Sequence, residues 1–328
     1  MVLTFMDKYS VPGMSVAIAK NGQLQYSEGF GYSDKDTREK TTTHHLFRIA
    51  SISKPFTAVA IMRLAEERKV RLSDRVFGSA SLLGSDYGQP PFKRYVDEIT
   101  VEHLMTHTAG GWTNNGGDPM FRHQEFDHRA LITWTISKVG LKYRPGTQFA
   151  YSNFGYCVLG RVIEKVTGLP YEAAVQKYVL DACGIHRMKV GGNTLAERVA
   201  DEVAYYGHHE NPYGWNLRRM DSHGGWIASA SDLVNFLVRV DSFDSVPDLL
   251  GVDSIRSMTE VAAPSTSYGK GWFINGSKWW HGGSLPGALS NMARMGDGLC
   301  WAVLANSRQQ KRQMYEDLES LVPRMLRL

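Results

Sequence analysis

Two Asn-Gly pairs near opposite ends of the chain constrain its fold more than any other feature. Asn21-Gly22 joins the β-rich runs 14–20 and 23–30, and Asn275-Gly276 joins 271–274 to 278–280. Between such runs an Asn-Gly pair is the strongest short-range hairpin signal, because both residues tolerate the positive φ of a twisted two-residue turn. Residues 288–295 and 299–305, parted by Gly296-Asp297-Gly298, add two more strands. Both chain ends therefore read as strands, followed by a polar helix from about Arg308 whose end Pro323 disturbs. The middle reads differently: 51–69, 101–106, 128–139, 154–167, 171–179 and 231–240 carry helical patterns linked by Gly- and Pro-rich loops. The expected fold class is α/β, of the α+β kind. It has an antiparallel sheet built from both chain ends and flanked by helices, with an inserted, mostly helical region. Residues 1–75 and 265–328 would form the sheet domain and 76–264 the helical one, with a functional cleft between them.

Composition narrows the class. Of the 328 residues 43% are hydrophobic and 21% charged, and mean hydropathy is −0.29, figures that exclude a disordered, collagen-like or coiled-coil chain. No apolar run approaches the length of a membrane span. The net charge of +4 is mild, and acidic and basic residues alternate, as over 63–69, so no nucleic-acid partner is expected. The three cysteines, Cys157, Cys183 and Cys300, form neither a disulfide framework nor a zinc pattern, and read as buried free thiols. Residues 1–8 lack the basic start of a signal peptide. The chain as written reads as cytoplasmic, or as periplasmic or secreted if a leader has been removed. No feature sets an oligomeric state.

The segment 47–57 contains Ser51-x-x-Lys54. A bare Ser-x-x-Lys arises about once by chance at average composition, and a second pair, Ser267 and Lys270, lies between glycines at the entry to a strand. Ser51 and Lys54 instead open a long apolar-periodic helix whose first turn tolerates Pro55. Residues i and i+3 are neighbours on a helical turn, so Lys54 can lie beside the Ser51 hydroxyl. A desolvated lysine can act as the base that a serine nucleophile needs, and the helix N-terminus favours negative charge developing there. Alternatively Ser51 caps the helix and Lys54 is solvated; the segment alone leaves both readings standing.

Two further segments carry reactive groups. Tyr151-x-Asn153 is the single Tyr-x-Asn of the chain, on a turn before a helix where phenol and amide could project into a cleft, or where the tyrosine packs and Asn153 caps. His-Gly-Gly occurs twice. His223-Gly224-Gly225 precedes a helix that Ser229 or Ser231 could cap, whereas His281-Gly282-Gly283 follows an aromatic strand. There, glycines would let an extended substrate approach.

In this order, Ser51-x-x-Lys54, Tyr151-x-Asn153 and His281-x-Gly283 resemble the three signature elements of penicillin-recognising serine enzymes. The closest likeness is to class C β-lactamases and their kin: family VIII esterases, D-aminopeptidases and D-alanyl-D-alanine carboxypeptidases. Residues 104–110 and 224–233 resemble that family too, so the likeness runs from about Val11 to Ser307. It implies a β-lactamase/transpeptidase-like fold, with Ser51 acylated and Lys54 and Tyr151 sharing the general-base work. Asn153 would orient Lys54 or a substrate amide. The backbone N–H groups of Ser51 and Ser284 would form the oxyanion hole, His281 would face Tyr151, and Gly282, Gly283, Trp112 and Trp226 would contact substrate.

One departure matters. Where class C β-lactamases carry Lys-Thr-Gly, this chain has His281-Gly282-Gly283, and a histidine is mostly neutral at neutral pH. The expected substrates are therefore small esters, amides or D-amino-acid derivatives rather than β-lactams with their carboxylate. A carboxylesterase-like hydrolase leads. A D-aminopeptidase or D-alanyl-D-alanine carboxypeptidase is the alternative within the class, and a non-catalytic binding protein on the same fold the alternative outside it. No cofactor and no metal are expected. His103 and His107, at i and i+4 on a short helix, could bind a metal with His208, His209 and Glu210, but the resemblance makes His107 structural.

Overall fold

In the computed structural model, which describes residues 1–326 other than 115, 116 and 262, the two chain ends meet in one sheet. The strands are β1 (Gly13–Lys20), β2 (Gln23–Asp34), β3 (Glu39–Lys40), β4 (Phe47–Arg48), β5 (Lys189–Val190), β6 (Tyr206–Gly207), β7 (Trp226–Ala228), β8 (Phe273–Asn275), β9 (Lys278–Leu285), β10 (Ala288–Arg294), β11 (Leu299–Ala305) and β12 (Ser307–Arg308). Seven form the main sheet in the order β3-β2-β1-β11-β10-β9-β8, with every pairing antiparallel. The seam between the chain ends is the β1–β11 pair, from Met14 opposite Ala305 to Lys20 opposite Leu299. β1 is buried on both faces, as its near-continuous apolar run requires.

The helices are α1 (Val2–Tyr9), α2 (Ser53–Glu66), α3 (Val101–Met105), α4 (His128–Lys138), α5 (Asn153–Thr167), α6 (Tyr171–Val175), α7 (Ala230–Leu237), α8 (Val252–Thr259), α9 (Arg312–Glu319) and α10 (Leu321–Met325). α1, α9 and α10 cover one face of the sheet, packing Phe5, Met6, Met314, Leu318 and Val322 on Val16, Leu289, Trp301 and Val303. The other face carries Ala17, Met292, Ala302 and Leu304 into the larger core with residues of α2, α5 and α7. α7 lies directly on β1 and β11, and its start is fixed by a capping box between Ser229 and Asp232.

Several expectations are corrected. The first element is a helix, α1, not a strand; Val2, Phe5, Met6 and Tyr9 make its buried stripe at helical spacing. The first hairpin turns at Asn21 and Gly22, both at positive φ. The second pairs Asn275 with Lys278, so its loop is Gly276-Ser277 and only Gly276 is at positive φ, one residue later than Asn-Gly suggests. The C-terminal helix starts at Arg312 because Ser307 and Arg308 pair in parallel with Tyr206 and Gly207. α8 was not foreseen. Cys157 and Cys300 are buried free thiols, whereas Cys183 is only partly covered. Among the described residues no helix is long and apolar enough to cross a membrane.

Candidate active site

Ser51 lies in a 3-10 turn, Ala50–Ile52, immediately before α2. The helix therefore begins two residues later than its sequence pattern suggests, with Pro55 still in its first turn, and Ser51 makes no capping bond. Ala50 has φ 49°, a conformation an alanine adopts only when its surroundings impose it. Those surroundings are visible. Ile49 N–H donates to the Trp226 carbonyl at 3.0 Å, the Ser53 hydroxyl donates to the Ala50 carbonyl at 2.7 Å, and the Ser290 hydroxyl donates to the Ile49 carbonyl at 2.8 Å. The turn is clamped from β7 and β10 at once.

Lys54 is fully buried. Its Nζ is 3.1 Å from Ser51 Oγ, 2.7 Å from Asn153 Oδ1 and 3.0 Å from the His223 carbonyl. Two of these partners can only accept. A neutral amine gives them its two N–H groups and keeps its lone pair for the third, the Ser51 hydroxyl, which can donate. Burial pulls the Lys54 pKa well below its ordinary value, against the opposing charge of Asp118. The geometry thus fits an uncharged lysine aimed at a serine O–H. A solvated Lys54 is ruled out by position.

The second segment is held from below. Ser152, not Asn153, caps α5, its hydroxyl accepting from Gly155 N–H at 3.0 Å. That leaves the Asn153 amide free for Lys54, and its Nδ2 donates to Asn114 Oδ1 at 2.8 Å. Asp118, fully buried, accepts from Asn153 N–H at 2.6 Å and from Phe154 and Met120 N–H. Burial nevertheless pushes its carboxyl up to about 7, the backbone donors and Lys54 opposing it. The Tyr151 phenol is raised by burial and drawn back by its contact with the Ser51 hydroxyl, while Lys54 Nζ lies 4.8 Å from its ring centre. His107 packs on Tyr151 with ring centres 4.2 Å apart and accepts Ser152 N–H at 3.1 Å.

β9 brings the third segment. Beyond Trp280 it has no strand partner on the β8 side among the described residues, so residues 281–285 present a strand edge to Ser51. Gly283 runs against the Ser51 turn so closely that a Cβ would stand 2.1 Å from the Ile49 carbonyl oxygen. His281 is buried with both nitrogens engaged. Nδ1 lies 2.7 Å from the Gly282 carbonyl and must donate to it, and Nε2 accepts from the Tyr268 hydroxyl at 3.1 Å. Burial and Lys54 pull its pKa down to about 3, so the ring is neutral in a fixed tautomer. Its centre is 6.4 Å from that of Tyr151.

A cleft of about 380 Å³ connects these groups, lined by Ser51, Asn114, Tyr151, His281, Gly282, Gly283 and Ser284 and continuing past Trp280, Asn291 and Tyr315 to Glu319. Trp112 and Trp226 do not line it. Trp112 is packed edge-on against Phe154 and donates to the Val139 carbonyl; Trp226 is fully buried against Tyr171. Both are core. The two His-Gly-Gly segments are not competitors either: His223 reaches Lys54 through its carbonyl and His281 faces the cleft with its ring. His107 lies beyond the end of α3 at φ 58°, so it shares no helix face with His103. The His103 Nδ1 accepts the Thr100 N–H at the start of α3. Glu210 pairs instead with Arg308. Asn114, Asp118 and Tyr268 have no local sequence signal, and the His-Gly-Gly pattern at His223 does not announce that its carbonyl serves Lys54.

The family model described as Beta-lactamase matches residues 1–322. Penicillin-binding protein 4* of Bacillus subtilis (strain 168) is 26% identical over 317 residues, covering 89% of this chain and 67% of that protein. Protein flp of Staphylococcus aureus (strain MW2) is 25% identical, covering 85% of this chain and 56% of its own length. The chain thus spans about two thirds and about half of these two curated relatives. Among solved structures, the D-amino acid amidase of Ochrobactrum anthropi SV3 superposes with a TM-score of 0.79 at 22% identity, over 100% of this chain and 99% of that one, a likeness of fold.

Proposed function

The chain belongs to the β-lactamase family of serine hydrolases, and on that premise we propose that it cleaves small esters or amides through an acyl-Ser51 intermediate, with carboxylesterase-like activity foremost. The observation that carries this reading is the buried, depressed Lys54 amine 3.1 Å from Ser51 Oγ. In acylation Ser51 Oγ bonds to the substrate carbonyl carbon as its proton passes to Lys54, with Tyr151 beside both. The bond to the leaving alkoxide or amine then breaks, and that group takes the proton. In deacylation a water gives its proton to the same base, its oxygen bonds to the acyl carbon, and Ser51 recovers its hydrogen. Asn153 Oδ1 and the His223 carbonyl hold the Lys54 lone pair on line. The backbone N–H groups of Ser51 and Ser284 stabilise the oxyanion, usually the largest electrostatic contribution in acyl transfer. His281 serves as a neutral wall opposite Tyr151. The cleft so used lies between the sheet portion (1–75 with 265–328) and the inserted portion (76–264).

A second reading, an amide hydrolase acting on D-amino-acid derivatives, draws on the charge of the cleft. Among the described residues no lysine or arginine lines it, and Glu319, paired through one oxygen with Lys278, is the charged side chain there, which suits amine-bearing substrates better than the carboxylates of β-lactams. A fluorophosphonate probe followed by peptide mass analysis tests the common core. Labelling of Ser51, lost in Ser51→Ala, is expected; labelling of Ser267, or none of the native protein, overturns it.

A further inference from the structure

The cleft does not end at the strand edge. β9 and β10 pair Ser284 with Leu289, Gly282 with Asn291 and Trp280 with Ala293, and alternation puts these six on one face of the sheet. That face is the one covered by α9, since Leu289 and Ala293 pack with Met314 and Leu318. The cleft therefore passes over the Gly282-Gly283 edge into a lobe between sheet and helix, where Leu289, Asn291, Tyr315, Leu318 and Glu319 form its walls. Gly282 keeps the passage open: a Cβ there would meet only the Ser290 carbonyl oxygen, at 3.8 Å.

The polar groups of this lobe are not balanced. Asn291 is 4% exposed and its Oδ1 has no hydrogen-bond partner, a costly state for a buried acceptor unless a ligand completes it. The Tyr315 hydroxyl is engaged with Ser284 Oγ at 2.9 Å, and Arg308, which also bonds Ser284 Oγ, is occupied by Glu210. Glu319 accepts from Lys278 through Oε1 at 2.5 Å; its Oε2 has no partner among the described residues. A half-exposed carboxylate and an unpartnered buried amide thus stand beside an apolar floor.

We propose that this lobe is a subsite for a protonated amine on the substrate, held by Asn291 Oδ1 and Glu319 Oε2 with its carbon skeleton on Leu289 and Leu318. This deepens the hydrolase reading, on which its use in turnover rests, but binding itself can be measured without turnover. Calorimetry on the full chain compares benzylammonium, benzyl alcohol and benzoate. The ammonium should bind about ten-fold tighter than the alcohol, as a charge-assisted contact provides, with benzoate weakest. Glu319→Gln should bring the ammonium-to-alcohol ratio close to one. Lys278→Met breaks the same ion pair but leaves the carboxylate, and should keep or widen the ratio. Gly282→Val should weaken both ligands by closing the passage. Equal binding of ammonium and alcohol by the native chain, or an unchanged ratio in Glu319→Gln, would overturn the subsite. Either result stands whether or not Ser51 is acylated.

Discussion

Replacing Gly283 by alanine tests the close approach of β9 to the Ser51 turn. The added methyl carbon would stand 2.1 Å from the Ile49 carbonyl oxygen, 2.3 Å from Ser290 Oγ and 3.1 Å from Ala50 Cβ. The nearest comfortable carbon–oxygen separation is about 3.3 Å, so strand and turn must part by roughly 1 Å. The obstacle is backbone and cannot swing aside, and Ile49 leads directly into Ser51. Ser284, whose N–H is the proposed oxyanion donor, is the next residue on the moving strand. A displacement of that size costs about 100-fold, and outright loss of one oxyanion donor about 100- to 1,000-fold, in kcat. Overpacking should also cost about 1–3 kcal/mol of stability. Steady-state hydrolysis of p-nitrophenyl butyrate reads the first effect and thermal unfolding the second. Gly282→Ala, one residue away, meets only an atom at 3.8 Å and should leave Tm where it is. A Gly283→Ala protein within five-fold of native kcat would refute the argument that the turn and the strand edge form one rigid unit.

Other consequences are as direct. With neutral Lys54 as the proposed base, kcat/KM should fall as pH falls through its lowered pKa; Asp118→Asn removes the negative charge that raises that pKa and should move the acid limb to lower pH, whereas a purely structural Asp118 would change the height of the profile and not its position. Nitrocefin should be turned over at least ten-fold less efficiently than p-nitrophenyl butyrate by kcat/KM, and native preference for nitrocefin would show that the uncharged His281 does not limit carboxylate substrates. The buried pair of Arg161 with Asp221, 2.6 Å apart, holds the Asp221 carboxyl well below its usual range. Its contribution to stability should therefore be complete above about pH 4 and be lost as pH falls further. Arg161→Met, which leaves the buried carboxylate to Ser222 and His128 without its arginine, should cost about 3–5 kcal/mol in denaturant unfolding at neutral pH.

How much of this was legible depended on how local the cause was. Hairpins at Asn21-Gly22 and near Asn275-Gly276, and the Ser51–Lys54 neighbourhood, follow from turns of a few residues, and the chain shows them plainly. The stripe Val2, Phe5, Met6, Tyr9 is equally local, but a helix two turns long carries too few apolar repeats to stand out from a loop. Trp112 and Trp226 mark the opposite limit: an aromatic next to a motif points into core or cleft according to what packs on it, and Phe154 and Tyr171 lie far away in sequence. The same holds for Asp118. Its meaning comes from three backbone N–H groups, two of them on a helix that begins 35 residues later, and no spacing rule announces that. His281 was visible as a residue type, but its fixed tautomer needs Tyr268, which only the fold brings near.

The β1–β11 seam has a consequence for synthesis. A strand complete at residue 20 waits for a partner that begins at residue 299, and at about 5–20 residues per second the ribosome takes roughly 14–56 s to make the intervening chain. Until then β1 has only β2 on one side, and its other edge is an apolar row of unpaired amides of the kind that recruits stray strands. The β9 edge that faces Ser51 comes from the same late stretch. Chemistry and the last sheet pairing therefore come into being together, so that a nascent or truncated chain lacking its final third would be both inactive and adhesive. Such a molecule depends on whatever shields β1 during its own translation.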